Sequence, residues 1–196
     1  MTLTVLHEHP LGLTWTVEER MQRSAHALAV DGKVWLIDPV DDPVALERAA
    51  MLGEFTGVLQ LLERHGRDCA PLADRYGVPH LINPPEIEDA PFEVVRVIDG
   101  RKWQETALWW EERRALVVSE AIGTANHYTG GHGAGVHIGL RFKPPRKQLG
   151  SFEPEHLLVG HGPPIHGALA AAELQGALDR SRRNLPRTIV GAFRNG

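Results

Sequence analysis

A chain of 196 residues, 42% apolar and 23% charged, is long enough to bury one sizeable core and is ordinary in composition for a globular domain. Its net charge of −4 argues against a general nucleic-acid binder, which needs a basic surface. Its single cysteine, Cys69, excludes a disulfide scaffold or a cysteine-built zinc site within one chain. No apolar run reaches the length of a membrane span, and the N-terminus lacks the basic-then-apolar pattern of a secretory leader. The expectation is a cytoplasmic protein with neither membrane nor nucleic-acid partners.

The elements begin with four strand-like runs, 3–6, 13–17, 26–30 and 33–38. Asp31-Gly32 between the last two is a hairpin-turn signal. Asp42 reads as the N-cap and Pro43 as the first residue of a helix reaching about Leu52. An apolar strand follows over 58–62, then a short helix over 71–76 that Gly77 stops, then a strand over 79–82. Residues 92–98 form another strand. Residues 106–110 and 115–119 pair as a hairpin across Glu111-Glu112-Arg113-Arg114. Residues 126–139 read as a Gly- and His-rich loop. The last core strand is 156–159, and a helix with one apolar side spans 168–183. The tail after Pro186 is expected to fray or to dock through Ile189, Val190 and Phe193. No linker or repeat divides the chain, so residues 1–196 form one domain. Its stable packing is two sheets face to face with helices outside.

Two clusters carry chemistry. Gly160-His161-Gly162 follows the strand 156–159, placing an imidazole at a strand tip between glycines free to adopt positive φ. Glu63-Arg64-His65-Gly66-Arg67-Asp68 follows another apolar strand in the same way. The loop after residue 125 adds His127, Tyr128, His132 and His137 as possible substrate contacts. Phe142 to Lys147 is a short basic patch, and His7 and His9 flank Glu8 on the first strand. Both are ordinary surface features at the level of sequence. Trp103, Trp109 and Trp110 cluster about a hairpin, where core packing or a homodimer surface accounts for them.

Over residues 25–185 the chain resembles the metallo-β-lactamase superfamily. Val34-Trp-Leu-Ile-Asp38-Pro39 resembles its early strand ending in an aspartate. Glu63 to Asp68 occupies the place of its T-H-x-H-x-D-H motif. Leu116-Val-Val-Ser119-Glu120 resembles its strand ending in Gly-Asp, and Gly160-His161-Gly162 its last Gly-His-Gly. The resemblance implies an α/β, four-layer αββα sandwich of two mixed sheets. The motif is degenerate. Glu63 stands for the first histidine, Arg67 for the aspartate and Asp68 for the histidine after it. Residues 99–108 lack the family's further histidine, and Glu120 replaces the bridging aspartate.

His65, Asp68, Glu120 and His161, with Glu63 as a further donor, could hold one divalent cation (zinc, iron or manganese), which suits this donor set better than two. A metal-bound water would then attack an ester, thioester or lactone. Arg67 and Arg101 support the opposite reading. A guanidinium near the carboxylates repels a cation, and Arg67 or Arg101 could bridge Asp68 or Glu120 in a metal-free site. The chain would then be a non-catalytic small-molecule binder or interaction module. A third option is metal-free acid–base chemistry using His65 or His161 with Glu120. Arg67, Arg101, His127, Tyr128 and His132 are the residues expected to face a ligand.

Overall fold

The computed structural model describes residues 4–182. The expected role of the tail after Pro186 lies outside them. The first sheet contains β1 (Thr4–His9), β2 (Gly12–Val17), β3 (Ser24–Val30), β4 (Lys33–Ile37), β5 (Glu54–Gln60) and β6 (His80–Ile82), in that spatial order. Its first three pairings are antiparallel, and β4–β5 and β5–β6 are parallel. The parallel pairings need crossovers, which α1 (Pro43–Ala50) and α2 (Cys69–Tyr76) supply. The β3–β4 turn has Asp31 at φ 50° and Gly32 at φ 76°, the doubly positive geometry that the Asp-Gly pair favours. Asp42 caps α1 by accepting the Ala45 N–H at 2.9 Å, with Pro43 in the first turn. Gly77 ends α2 in the left-handed region. This helix starts two residues earlier than the sequence suggests.

The second sheet has the order β13 (Ile165–His166), β12 (His156–Val159), β9 (Ala115–Val118), β8 (Trp103–Trp110), β7 (Glu93–Gly100). Between β9 and β12 lie β10 (Ile122–Gly123), α3 (Asn126–Thr129), β11 (Gly135–Val136) and α4 (Arg146–Leu149). The Gly- and His-rich segment expected as a loop is therefore built: α3 and β11 lie within it, and β11 pairs with β10 just before it. Tyr128 is buried, and Gly123 and Gly135 leave no room for a Cβ against its ring and backbone. Helix α5 (Leu169–Arg180) closes the described chain.

Strand alternation sorts the core into three apolar layers. Leu28, Trp35, Ile37 and Leu59 of the first sheet meet Leu108, Val117 and Leu158 of the second. The opposite face of the first sheet, with Trp15, Ala27 and Leu36, packs under Leu46 of α1 and Leu72 of α2. The opposite face of the second sheet, with Leu116, Val118 and Leu157, packs under Leu174 and Leu178 of α5. Helix, sheet, sheet, helix is the four-layer order expected from the sequence. The C-terminal ends of β4, β5, β9 and β12 all lead into loops at one rim, where the candidate residues gather.

Candidate metal centre

His65 follows β5, Glu120 follows β9 and His161 follows β12. Each offers a ligand atom, and these three atoms lie within 4.8 Å of one another. The two imidazoles, 96 residues apart in the chain, face each other with 3.5 Å between their Nε2 atoms. Glu120 Oε2 lies 4.0 Å from His65 Nε2. His161 is buried, and His65 and Glu120 are mostly so.

Hydrogen-bond partners determine which nitrogens carry protons. His161 Nδ1 lies 2.9 Å from the Met21 carbonyl oxygen, which can only accept, so Nδ1 is the protonated nitrogen and Nε2 carries the lone pair. Ser119 donates its hydroxyl proton to the buried Asp38 carboxylate at 2.6 Å. The same hydroxyl oxygen, 2.8 Å from His65 Nδ1, must then accept from it. His65 Nε2 is left as a second lone pair. Two acceptors pointed at each other repel unless a cation or proton lies between them. Two nitrogens on a tetrahedral zinc sit roughly 3.3 Å apart, close to the separation seen here.

The surroundings tune this group. Burial and the Arg67 guanidinium push His161 down to about 4, so it is neutral at ordinary pH. Burial would raise Asp38, but His65, Arg67 and Ser119 outweigh it and hold the carboxyl below its usual range. Asp38 adopts φ 43°, a left-handed conformation that suits Asp and Asn among side-chain-bearing residues, and its Oδ1 accepts the Leu61 N–H at 3.0 Å. Burial also opposes ionisation of Glu120, yet Arg64, His65 and His137 together lower its pKa. Arg64 bonds Glu120 Oε2 at 2.7 Å while lying over the Trp103 ring. His137 Nδ1 accepts the Gly139 N–H at 3.1 Å, which turns its Nε2–H toward Glu120 Oε1, 3.6 Å away.

The other candidates are placed differently. Asp68 precedes α2, where its Oδ2 accepts the Asp41 N–H at 2.9 Å, and it does not join the His65, Glu120 and His161 group. Glu63 likewise stands apart, accepting the Gln104 N–H at 2.8 Å. Arg67 bridges neither Asp68 nor Glu120. Its guanidinium donates to three carbonyl oxygens, of Ser24 (2.5 Å), Asp38 (2.8 Å) and Gly160 (2.9 Å). Its φ of 40° accompanies this inward course. Arg101 is exposed in the β7–β8 turn and has no ion partner among the described residues. The cation on Glu120 is Arg64 instead. Tyr128 stacks on His161, with ring planes 23° apart, and its hydroxyl donates to the Glu120 carbonyl at 3.1 Å. His127 is exposed, with its ring 6.0 Å from that of His161. His132 is exposed on the segment between α3 and β11.

No protein-family model matches the sequence, nor does any curated protein. Solved structures do match. A DIM-1 metallo-β-lactamase exposed to ceftazidime superposes with a TM-score of 0.62 at 12% identity, over 91% of this chain and 97% of that one. A metallo-β-lactamase from Erythrobacter litoralis superposes with a TM-score of 0.63 at 10% identity, over 92% and 96%. This chain has the metallo-β-lactamase fold. VMB-1, at 9% identity and a TM-score of 0.58, agrees over 91% of this chain and 97% of that one. Each of these matches spans more than nine-tenths of both chains.

Within the metallo-β-lactamase fold, several residues shape the site in roles the sequence did not assign them, His137 having been expected only as a substrate contact. Ser119 and Asp38 orient His65, Arg64 and His137 hold Glu120, and the fully buried Glu105 accepts the Glu120 and Ala121 N–H groups, each at 2.8 Å. Trp103 Nε1 donates to the other Glu105 oxygen at 2.9 Å, and burial still pushes this carboxyl up to about 7. A glutamate two residues before the apolar run Ala107 to Trp110, on the same strand, was the available signal for Glu105.

Proposed function

We propose that the chain is a mononuclear metal-dependent hydrolase acting on an ester, thioester or lactone-type bond. His65 and His161 would hold the cation through Nε2, and Glu120 through a carboxylate oxygen. The observation that carries this reading is the pair of opposed Nε2 lone pairs 3.5 Å apart, each fixed by a hydrogen bond on the far side of its ring. Metal-binding histidines are characteristically anchored in this way. The donor set of two nitrogens and one carboxylate fits a zinc-type catalytic site with an open position. A divalent cation there supplies Lewis acidity and lowers the pKa of bound water.

This chain's own residues do the rest. Ser119 and Asp38 hold the His65 tautomer. Arg64 is exposed and sits on Glu120 Oε2, so it can swing off the carboxylate and present its guanidinium to a developing negative charge. His137 Nε2–H faces Glu120 Oε1 and favours the ionised carboxylate, the form that would hold a cation. The stacked Tyr128 shields one face of His161 from solvent, and exposed His127 borders the approach.

The test combines metal titration with turnover. Metal-free protein should take up one equivalent of zinc or manganese at this site and then hydrolyse a member of a panel of aryl esters, thioesters, lactones and a cephalosporin. His161→Ala should lose both. Uptake and turnover unchanged in His161→Ala would refute the assignment. Failure of the wild type to bind either ion would favour the metal-free binding module instead.

A further inference from the structure

A second group of imidazoles lies at the other side of the sandwich, where the edge strand of each sheet meets. His7 and His9 share one face of β1. His156 and His166 are directly paired across β12 and β13, with 2.7 Å between their Nδ1 atoms. The His166 ring centroid is 5.0 Å from that of His156 and 5.0 Å from that of His9.

Protonation here can be traced through a relay. His26 Nε2 faces the Val159 carbonyl oxygen at 3.2 Å and must donate to it. His26 Nδ1 therefore accepts, and the Thr14 hydroxyl at 2.8 Å donates to it. Thr14 Oγ1 is then the acceptor for His9 Nε2–H at 3.0 Å. The proton of His9 is thereby assigned to Nε2, and Nδ1 carries a lone pair. That Nδ1 is buried and has no hydrogen-bond partner. A buried, unpartnered acceptor is costly, and one beside two further imidazoles has an evident use.

We infer that His9, His156 and His166 form a second, histidine-only site for a divalent cation of the zinc type, which ties β1 of one sheet to β12 and β13 of the other. Imidazole nitrogen is the ligand that zinc, copper and nickel share, and three histidines suffice. His9 already has the anchored far-side nitrogen that a metal ligand needs. The other two rings must adjust, because the three do not already hold ligand atoms within 4.8 Å of one another as His65, Glu120 and His161 do. Two nitrogens on one tetrahedral zinc lie roughly 3.3 Å apart, so the 2.7 Å Nδ1 pair opens by about 0.6 Å. His166 is exposed and His156 partly so, which leaves both rings free to turn. His7 lies two residues along the same face of β1. The inference is independent of the proposed hydrolytic function, because no residue is shared with the His65, Glu120 and His161 group.

The test counts zinc equivalents on metal-free protein by calorimetry and elemental analysis. Three chains are compared: wild type, the pair His156→Ala/His166→Ala and the pair His65→Ala/His161→Ala. The inference expects that the His65→Ala/His161→Ala protein still binds one equivalent, with a rise in Tm on adding zinc, and that His156→Ala/His166→Ala loses one equivalent relative to wild type. Both substituted residues of that pair are at the surface, so the protein should fold. Circular dichroism on the metal-free chains checks this, and His166→Gln alone provides a milder variant for the same count. If His65→Ala/His161→Ala binds no zinc, or if removing His156 and His166 leaves the stoichiometry unchanged, the second site does not exist. If wild type binds a single equivalent that persists in His65→Ala/His161→Ala and vanishes in His156→Ala/His166→Ala, this inference stands and the hydrolytic metal site fails.

Discussion

Asp38→Asn replaces one atom and should reverse a chain of protons. Oδ1 is pinned by the Leu61 N–H at 3.0 Å, so the asparagine oxygen must stay there and its NH2 must face Ser119. Ser119 Oγ then accepts from the asparagine and turns its own proton toward His65 Nδ1, 2.8 Å away. His65 must move its proton to Nε2, which now points an N–H at His161 in place of a lone pair. The left-handed φ of 43° is as acceptable to Asn as to Asp, so the backbone has no reason to change. Exchanging a charge-assisted hydrogen bond for a neutral one costs about 1–1.5 kcal/mol of stability, which for a chain of this size lowers Tm by about 2 to 6 °C. Disturbing an outer partner of a metal-binding histidine reduces affinity roughly 10- to 100-fold, or about 1.4–2.8 kcal/mol. The assay is paired: nitrogen-detected NMR of the imidazoles to read the His65 tautomer, and calorimetric titration with zinc. Asp38→Asn with Nδ1 still protonated, and with zinc affinity within twofold of wild type, would refute the proton chain and the tautomer argument built on it.

Three further outcomes follow from the same contacts. Acid should destabilise the protein well above the carboxylate range. His26 is held down to about 3 and His161 to about 4, so between about pH 6.5 and those values the unfolded chain binds more protons than the folded one. Stability therefore falls as pH drops through that window, and denaturant melts from pH 7 to 4 should show it; a flat profile would contradict the burial of these rings. Glu105 has the opposite sign. Its pKa rises from 4.5 to about 7, so the folded state binds the extra proton and stability is lost as pH climbs through that interval. Glu105→Gln should flatten that fall, and an unchanged slope would show that Glu105 is not its source. Arg67→Met removes the donors to the Ser24, Asp38 and Gly160 carbonyls and should cost about 3 kcal/mol or more, measured by urea melts of the metal-free protein. A loss below about 1 kcal/mol would mean water replaces the guanidinium without penalty.

Most of the core strands and helices could be read along the sequence from local pattern, whereas the αββα layering and the meeting of His65, Glu120 and His161 were carried by the packing rule and the family resemblance. Apolar runs set the strands, and a polar or glycine residue just after a run sits at a strand tip. The roles of the arginines could not be read this way. Arg64 and Arg67 lie three residues apart on one irregular loop, and backbone dihedrals alone decide which points outward and which inward. Arg67 takes positive φ and reaches three carbonyls, whereas Arg64 reaches Glu120 from the surface. Ser119 and Asp38 were hidden for a related reason. Each is an ordinary strand-end residue, and only the face-to-face packing of β4 against β9 brings the hydroxyl 2.6 Å from the carboxylate. The segment 126–139 reads as a loop because its glycines suggest mobility. In the structure one of them, Gly135, together with Gly123 just before the segment, lets Tyr128 pack tightly.

The guanidinium of Arg67 joins the ends of three strands that metal ions alone could otherwise have held together. A permanent side-chain cross-tie at that rim means the polypeptide can finish folding before it meets any ion. On the proposed metal-dependent reading, loading would be a late and reversible event, and withdrawing the ion should leave an assembled, empty receptacle in place of a collapsed one.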